Sequence, residues 1–358
     1  MRKRGFLIII GVISCMFSFA QTGIIKSEFV YDATLFPSCH ASTIVEADNG
    51  DLLVAYFGGK YEGADDVCVW LSRKMKDSSH WLAPVMIADG TPCYDLKERK
   101  ACYNPVLYKM PDGTIVLFFK IGKHVQDWTG WVSFSSDNGY TWTDKKPLPA
   151  GYLGAIKNKP ELIANKLICP SSTEAGWWQI HFEIYDLDTK TWQYVGPIKA
   201  NKAISTMDMP DGKRKPIICI QPSILKLSDG RLQVLCRTKN GRLATSYSKD
   251  SGNNWSKVTL TNIPNNNSGT DAVTLKNGNH ALVYNNVSTA NGEEMGKRTP
   301  LILTIFDSTM NKQLQTIVLE DDPDGEYSYP TIIQGSNGNL CVTYTWRRQK
   351  IAFKEIRL

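Results

Sequence analysis

The chain has 358 residues, 42% of them hydrophobic and 21% charged, with a formal net charge of +6. These proportions are those of a globular protein and exclude a disordered, collagen-like or disulfide-scaffold chain. Half of the excess charge sits at Arg2, Lys3 and Arg4, and the remainder is too weak to argue for a nucleic-acid partner.

Those three cations, the apolar stretch Phe6–Phe19 and the small residues Ser18 and Ala20 read as an export signal cleaved after Ala20. Residues 21–358 then form one domain. The apolar stretch is too short to span a bilayer comfortably, so no transmembrane span is expected in the mature chain. A lipobox-like "VISC", with Cys15 lipidated, is the competing reading. Both place the protein outside the cytoplasm, periplasmic or extracellular. None of the cysteines has the CxxC spacing of a metal site. Cys68, Cys169, Cys219, Cys236 and Cys341 lie in apolar runs and are expected as buried thiols. Cys93 and Cys102 flank one loop, where a disulfide is open.

One pattern then recurs along the chain: a β-rich run, a tight turn and a second β-rich run. It appears as "STIVEADNGDLLVAYF" at 42–57, "PVLYKMPDGTIVLFFK" at 105–120 and, more weakly, "PELIANKLICPSS" at 160–172. It returns as "PSILKLSDGRLQVLCR" at 222–237, "AVTLKNGNHALVYN" at 272–285 and "TIIQGSNGNLCVTYTW" at 331–346. Asn-Gly and Asp-Gly favour the positive backbone angles of hairpin turns. Further β-rich stretches follow the hairpins, so each repeat is one four-stranded unit. No helical period of useful length appears. The expectation is all-β: a six-bladed β-propeller of four-stranded antiparallel blades. "GIIKSEFVY" at 23–31 and "KIAFKEIRL" at 350–358 are expected to close the ring within one blade, which hides the sheet edges.

"SSDNGYTW" at 135–142 returns as "SKDSGNNW" at 248–255, with weaker echoes near Asp186 and Asp307. Ser-x-Asp-x-Gly suits a turn in which the Asp caps backbone N–H groups and the Gly takes a positive φ. Repetition on several blades marks a structural device, so Asp137 and Asp250 are not site candidates. The motif resembles the Asp-box, or BNR repeat, of sialidases and their relatives, and the resemblance covers about residues 30–357. The wording "HASTI", "FGGxxEG", "NKP", "SSTE", "SYP" and "YTWRR" is similar to a branch of predicted neuraminidases within it. The resemblance implies a glycan-active propeller whose active site lies on the face opposite the Asp-boxes.

Sialidase-like enzymes hold a sugar carboxylate with three arginines, because a carboxylate takes planar bidentate donors. They add an Asp as acid/base and a Tyr nucleophile activated by a Glu. By resemblance, Arg237 and Arg298 stand at the second and third arginines, and Tyr327 in "EYSYP" at the nucleophile, beside Tyr329. His40 stands where the first arginine belongs, and Gln221 where the activating Glu belongs. Glu62, Asp65 and Asp66 lie in the glycine-rich loop that carries the family's acid/base, with Asp66 the candidate. Other candidates come from the residues themselves. Lys157 and Lys159 open the third repeat as possible anion ligands. Glu174, His181 and Glu183 surround a Trp pair, and positions 181 and 183 share one strand face, where His and Glu suit acid/base work. His40 titrates near neutral pH and suits acid, base or anion-ligand duty.

The expectation is an exported exo-glycosidase that removes a terminal, acidic sugar, such as sialic acid, from a glycan or oligosaccharide. It would work as a monomer, with no cofactor and no metal. Catalysis is assigned to Asp66, Tyr327, Glu183 and His40. Substrate binding is assigned to Arg237, Arg298, Lys157, Lys159, Glu62, Glu174, His181, Gln221 and Tyr329. A uronic-acid lyase using His40, His181 and a Tyr is the alternative reaction, and a non-catalytic glycan-binding propeller is the alternative class.

Overall fold

A computed structural model describes residues 23–32, 35–91, 98–200, 207–208, 214–289 and 294–358. The signal segment with Cys15, and Cys93 of the open disulfide, lie outside the described residues. Cys102 and the five cysteines of the apolar runs are buried thiols.

Six four-stranded antiparallel sheets form a β-propeller, as the hairpin repeats imply. Blade 1 comprises Ser38–Glu46, Leu52–Gly59, Cys68–Lys74 and Val85–Ala88. Blade 2 comprises Ala101–Lys109, Ile115–Gly122, Thr129–Ser135 and Lys146–Pro147. Glu161–Ile163, Lys166–Thr173, Gln179–Asp186 and Thr191–Val195 make blade 3. Cys219–Lys226, Leu232–Thr238, Arg242–Ser248 and Thr259–Pro264 make blade 4. Blade 5 runs through Asp271–Thr274, His280–Asn285, Leu301–Phe306 and Gln313–Glu320. Blade 6 takes Tyr327–Gln334, Leu340–Trp346 and Lys350–Arg357 from the end of the chain. Its outermost strand is Gly23–Phe29, paired from Gly23 with Arg357 to Phe29 with Ala352.

The alternating strands bury apolar faces between blades. Leu53 and Leu117 pack blade 1 on blade 2, Phe118 and Leu167 blade 2 on blade 3, and Phe182 and Val234 blade 3 on blade 4. Leu235 and Leu282 continue the ring, Leu303 and Ile332 follow, and Tyr56 and Phe353 join blade 6 to blade 1.

Both Asp-boxes sit between the third and fourth strands of their blades, where the repeat phase places them. Asp137 accepts from the backbone N–H of Tyr140 and Thr141, and Ser135 Oγ accepts from Gly139 N–H. Hydrogen bonds, chiefly from Thr141, hold the Asp137 carboxyl down at about 2. Trp255 of the second box stacks on Phe182 of the preceding blade at 4.0 Å. Gly139 has φ +80°, and a Cβ there would lie 2.5 Å from Leu53 Cδ1. Gly139→Ala should therefore cost about 2 kcal/mol, read as a fall in the denaturation midpoint.

The channel axis is braced by buried polar groups. The Asp271 carboxylate pairs with Lys159 at 2.6 Å and accepts from Ser223 Oγ and from the Ile332 N–H. It thus ties blades 4, 5 and 6 to the segment that opens blade 3. Lys157 donates to the Thr270 and Pro330 carbonyls, and Lys120 to those of Asn104, Ala155 and Ile156. Burial draws both ammonium groups from the ordinary 10.5 down to about 7. Between about 7 and 10.5 the unfolded chain therefore binds more protons at these sites, and their contribution to stability grows as pH rises through that window. Unfolding titrations at pH 7 and 9 should show a smaller pH-dependent gain for Lys157→Met than for the wild type.

Candidate active site

In each antiparallel sheet the start of the inner strand lies beside the end of the second, so Ile220 pairs with Arg237 and Tyr327 with Trp346. These ends, and the loops joining second to third strands, face away from the Asp-boxes. Four inner strands are bulged at this end, in blades 1, 2, 4 and 6. Each bulge holds a residue in the left-handed region: Ala41 at φ 54°, Asn104 at 38°, Gln221 at 56° and Tyr329 at 51°. Such backbone costs on the order of 1–3 kcal/mol per residue, and a bulge re-aims a side chain that alternation would send elsewhere.

Tyr329 stands at the centre. Its Oη accepts from Arg237 Nη1 at 2.6 Å and from Gln221 Nε2 at 3.4 Å. Its ring lies 4.2 Å from that of His40, and the Lys157 ammonium and the Arg298 guanidinium lie 5.8 and 5.9 Å from it. Gly269 keeps room for it, since a Cβ there would lie 3.2 Å from Tyr329 Cδ2. Gln221 Nε2 also donates to Glu174 Oε1 at 3.0 Å. Burial raises the Glu174 carboxyl above the usual range, against the opposing pull of Arg237.

Arg237 is buried, and its hydrogen-bond partners are the neutral Asn267, Gln221 and Tyr329. Among the described residues no carboxylate lies within ion-pair distance of it. Arg298 pairs with Glu326 at 2.7 Å and donates to Ser328. A third guanidinium comes from Arg348, in the turn after Trp346. It joins Glu326 at 3.1 Å and Glu62 at 2.7 Å. His40 is buried, with Nδ1 on Thr345 Oγ1 at 2.8 Å. Burial first, then Arg348, Arg298, Arg237 and Lys157, hold its ring well below the usual histidine range, so the imidazole is neutral.

The structure thus brings together His40, Glu174, Gln221, Arg237, Arg298 and Tyr329, with Glu62 attached through Arg348. Other candidates stand apart or are committed to other contacts. The Asp66 carboxylate accepts from the Lys60 N–H inside its own loop and, among the described residues, forms no ion pair with an arginine. Tyr327 is buried in the core between blades 5 and 6, edge-on to Tyr344. Lys157 and Lys159 spend their donors on the axial brace. Glu183 does bond His181, at 3.0 Å, but its carboxylate also takes the Leu153 and Gly154 N–H groups and Ser171 Oγ. Fully buried, it anchors the loop before blade 3. Arg348, Glu326 and Asn267 are the site residues that sequence reasoning missed. An Arg pair after Trp346 and a run of small polar residues at 265–271, buried rather than exposed, are their only traces. Among the described residues no group of three His, Cys, Asp or Glu side chains is arranged to hold a metal ion.

No curated protein sequence matches the chain. Solved structures do, at identities that carry the fold alone. A protein of unknown function from Dyadobacter fermentans aligns at TM-score 0.71 and 15% identity, over 94% of this chain and 98% of that one. The intramolecular trans-sialidase from Ruminococcus gnavus, solved with oseltamivir carboxylate, aligns at 0.69 and 14%, over 95% and 99%. A K499G mutant of the NanB sialidase from Streptococcus pneumoniae aligns at 0.65 and 14%, over 94% and 70%. A family model, the BNR repeat-like domain, matches residues 50–342. That match covers most of the chain, which belongs to the BNR repeat-like domain family.

Proposed function

We propose that the protein is an exported glycosidase that removes a terminal acidic sugar from a glycan or oligosaccharide. Arg237 carries this reading. A buried guanidinium with only neutral partners is costly unless an anion arrives to pair with it, and the Arg298 guanidinium also lies 5.9 Å from the Tyr329 ring, with Arg348 joined to it through Glu326. A sugar carboxylate meets that need with two coplanar oxygens.

Tyr329 is the group assigned to the anomeric carbon. Two N–H donors on Oη favour the phenolate as it forms. In the first step Oη gives its proton to water as it bonds to the anomeric carbon, and the glycosidic C–O bond breaks; Oη regains a proton from water when the sugar is released. Glu174, whose raised carboxyl suits an acid, gives its proton to the leaving oxygen. Water then releases the sugar and returns a proton to Glu174. We assign the acid/base role to Glu174 rather than Asp66, which is committed to its own loop.

Elimination from a uronic acid is the second reading, favoured by one observation: His40, buried beside Tyr329 and held neutral, suits a base. One incubation with mixed acidic glycans separates the readings. Hydrolysis adds water to the released sugar; elimination leaves an unsaturated product that absorbs in the ultraviolet. A binding module gives neither product. We expect hydrolysis, and an ultraviolet product would overturn it. Arg237→Met is expected to lower kcat/KM on the order of 100-fold, measured on whichever acidic glycan is cleaved.

A further inference from the structure

Beside the arginine cluster, where blades 2 and 3 meet, lies a cleft of about 320 Å³. We propose that it is a subsite for an uncharged sugar ring, the unit to which the terminal acidic sugar is attached; this identification of the unit rests on the reading above. The cleft has a chemistry unlike that of its neighbour. Trp128, Tyr152, His181 and Tyr194 line it, and neither lysine nor arginine does. An acid would find no counter-charge here, whereas a pyranose offers an apolar face to aromatic rings and hydroxyls to the groups between them.

Two of those groups await partners. Trp128 Nε1 and His181 Nδ1 are buried without a hydrogen-bond partner among the described residues. His181 is 3% exposed, its Nε2 edge is held by Glu183, and its ring stacks on Tyr194 at 4.6 Å. With Nε2 so committed, Nδ1 is the ring nitrogen left unpaired. A donor and a ring nitrogen held in this way match sugar hydroxyls, which donate and accept.

The site is built rather than incidental. The loop forming its wall is fixed by Glu183 through the Leu153 and Gly154 N–H groups. It sits so close to Gly130 that a Cβ there would meet Tyr152 O at 2.5 Å and Leu153 Cα at 2.7 Å. Glu174 belongs to both sites, lining the cleft while bonding Gln221. A disaccharide occupying both would place its linking oxygen near the carboxyl assigned as the acid.

The test follows the Trp128 indole N–H resonance in 15N-labelled protein, assigned by its loss in Trp128→Phe. Methyl pyranosides of glucose, galactose, mannose and rhamnose are titrated, then free glucuronic and sialic acids. At least one neutral glycoside should shift Trp128, with the Trp255 indole, bonded to Gly252 O in an Asp-box, unmoved. In a calorimetric titration, which needs no Trp128 signal, Trp128→Phe should weaken that glycoside about fivefold or more, the loss of one hydrogen bond. Arg237→Met should retain the shift. The proposal is overturned if no neutral glycoside moves the resonance, or if only the acids do. Turnover plays no part in this readout, so failure of the glycosidase reading would show separately, as intact cleft binding without any cleavage.

Discussion

Tyr329→Phe is expected to lower turnover on the order of a thousandfold or more, with little change in the denaturation midpoint. Tyr327→Phe should do the reverse: near-normal turnover, and a loss of about 1 kcal/mol in stability from its buried phenol. The family motif favours Tyr327 as the reactive residue, and the structure separates the two by their surroundings. Tyr327 faces Tyr344 in an interblade core, and burial raises its phenol. Tyr329 presents its oxygen to Arg237 and Gln221. Removing that oxygen deletes the atom assigned to bond formation, and the ring remains to fill its place beside His40. Steady-state turnover and a denaturant titration on both variants decide the matter; equal loss of turnover in the two would contradict the assignment.

Asp271→Ala should cost about 3–5 kcal/mol, the usual penalty for breaking a buried ion pair from one side. The variant leaves the Lys159 ammonium without its carboxylate and the Ile332 N–H and Ser223 Oγ without their acceptor. These groups come from different blades, so the loss falls on ring closure rather than on one sheet. A double change, Asp271→Ala with Lys159→Met, should recover part of the loss by removing the stranded charge. The comparison is a set of denaturant midpoints. Little loss in the single variant would show that the axial pair is dispensable.

Much of the fold was legible because its unit repeats. Asn-Gly and Asp-Gly turns set the hairpins, and the Asp-boxes set their phase, so even the closing strand from the N-terminal side was readable. The site was legible in part. Arg237, at the end of a strand that the hairpin defines, could be placed because the family resemblance puts an arginine there. Tyr327 and Tyr329 could not be separated, because a bulge adds a residue and breaks the parity by which alternation assigns faces. Glu183 and His181 were correctly seen to share a face, but backbone N–H groups claim the carboxylate, and no side-chain pattern reveals that. Arg348 reaches the cluster from a turn, through contacts far apart in the chain. Asn267 lies in a polar run that reads as a surface loop, yet is buried against Arg237.

The central claim is that Arg237 and Arg298 beside Tyr329, with Arg348 joined to Arg298 through Glu326, recognise a sugar carboxylate. The most direct measurement compares kcat/KM for one acidic glycan that the protein is found to cleave with that for its carboxyl methyl ester. Esterification removes the charge and keeps the ring and linkage. We expect it to lower kcat/KM on the order of 100-fold or more in the wild type, and to matter far less in Arg237→Met. Equal turnover of acid and ester by the wild type would contradict the account.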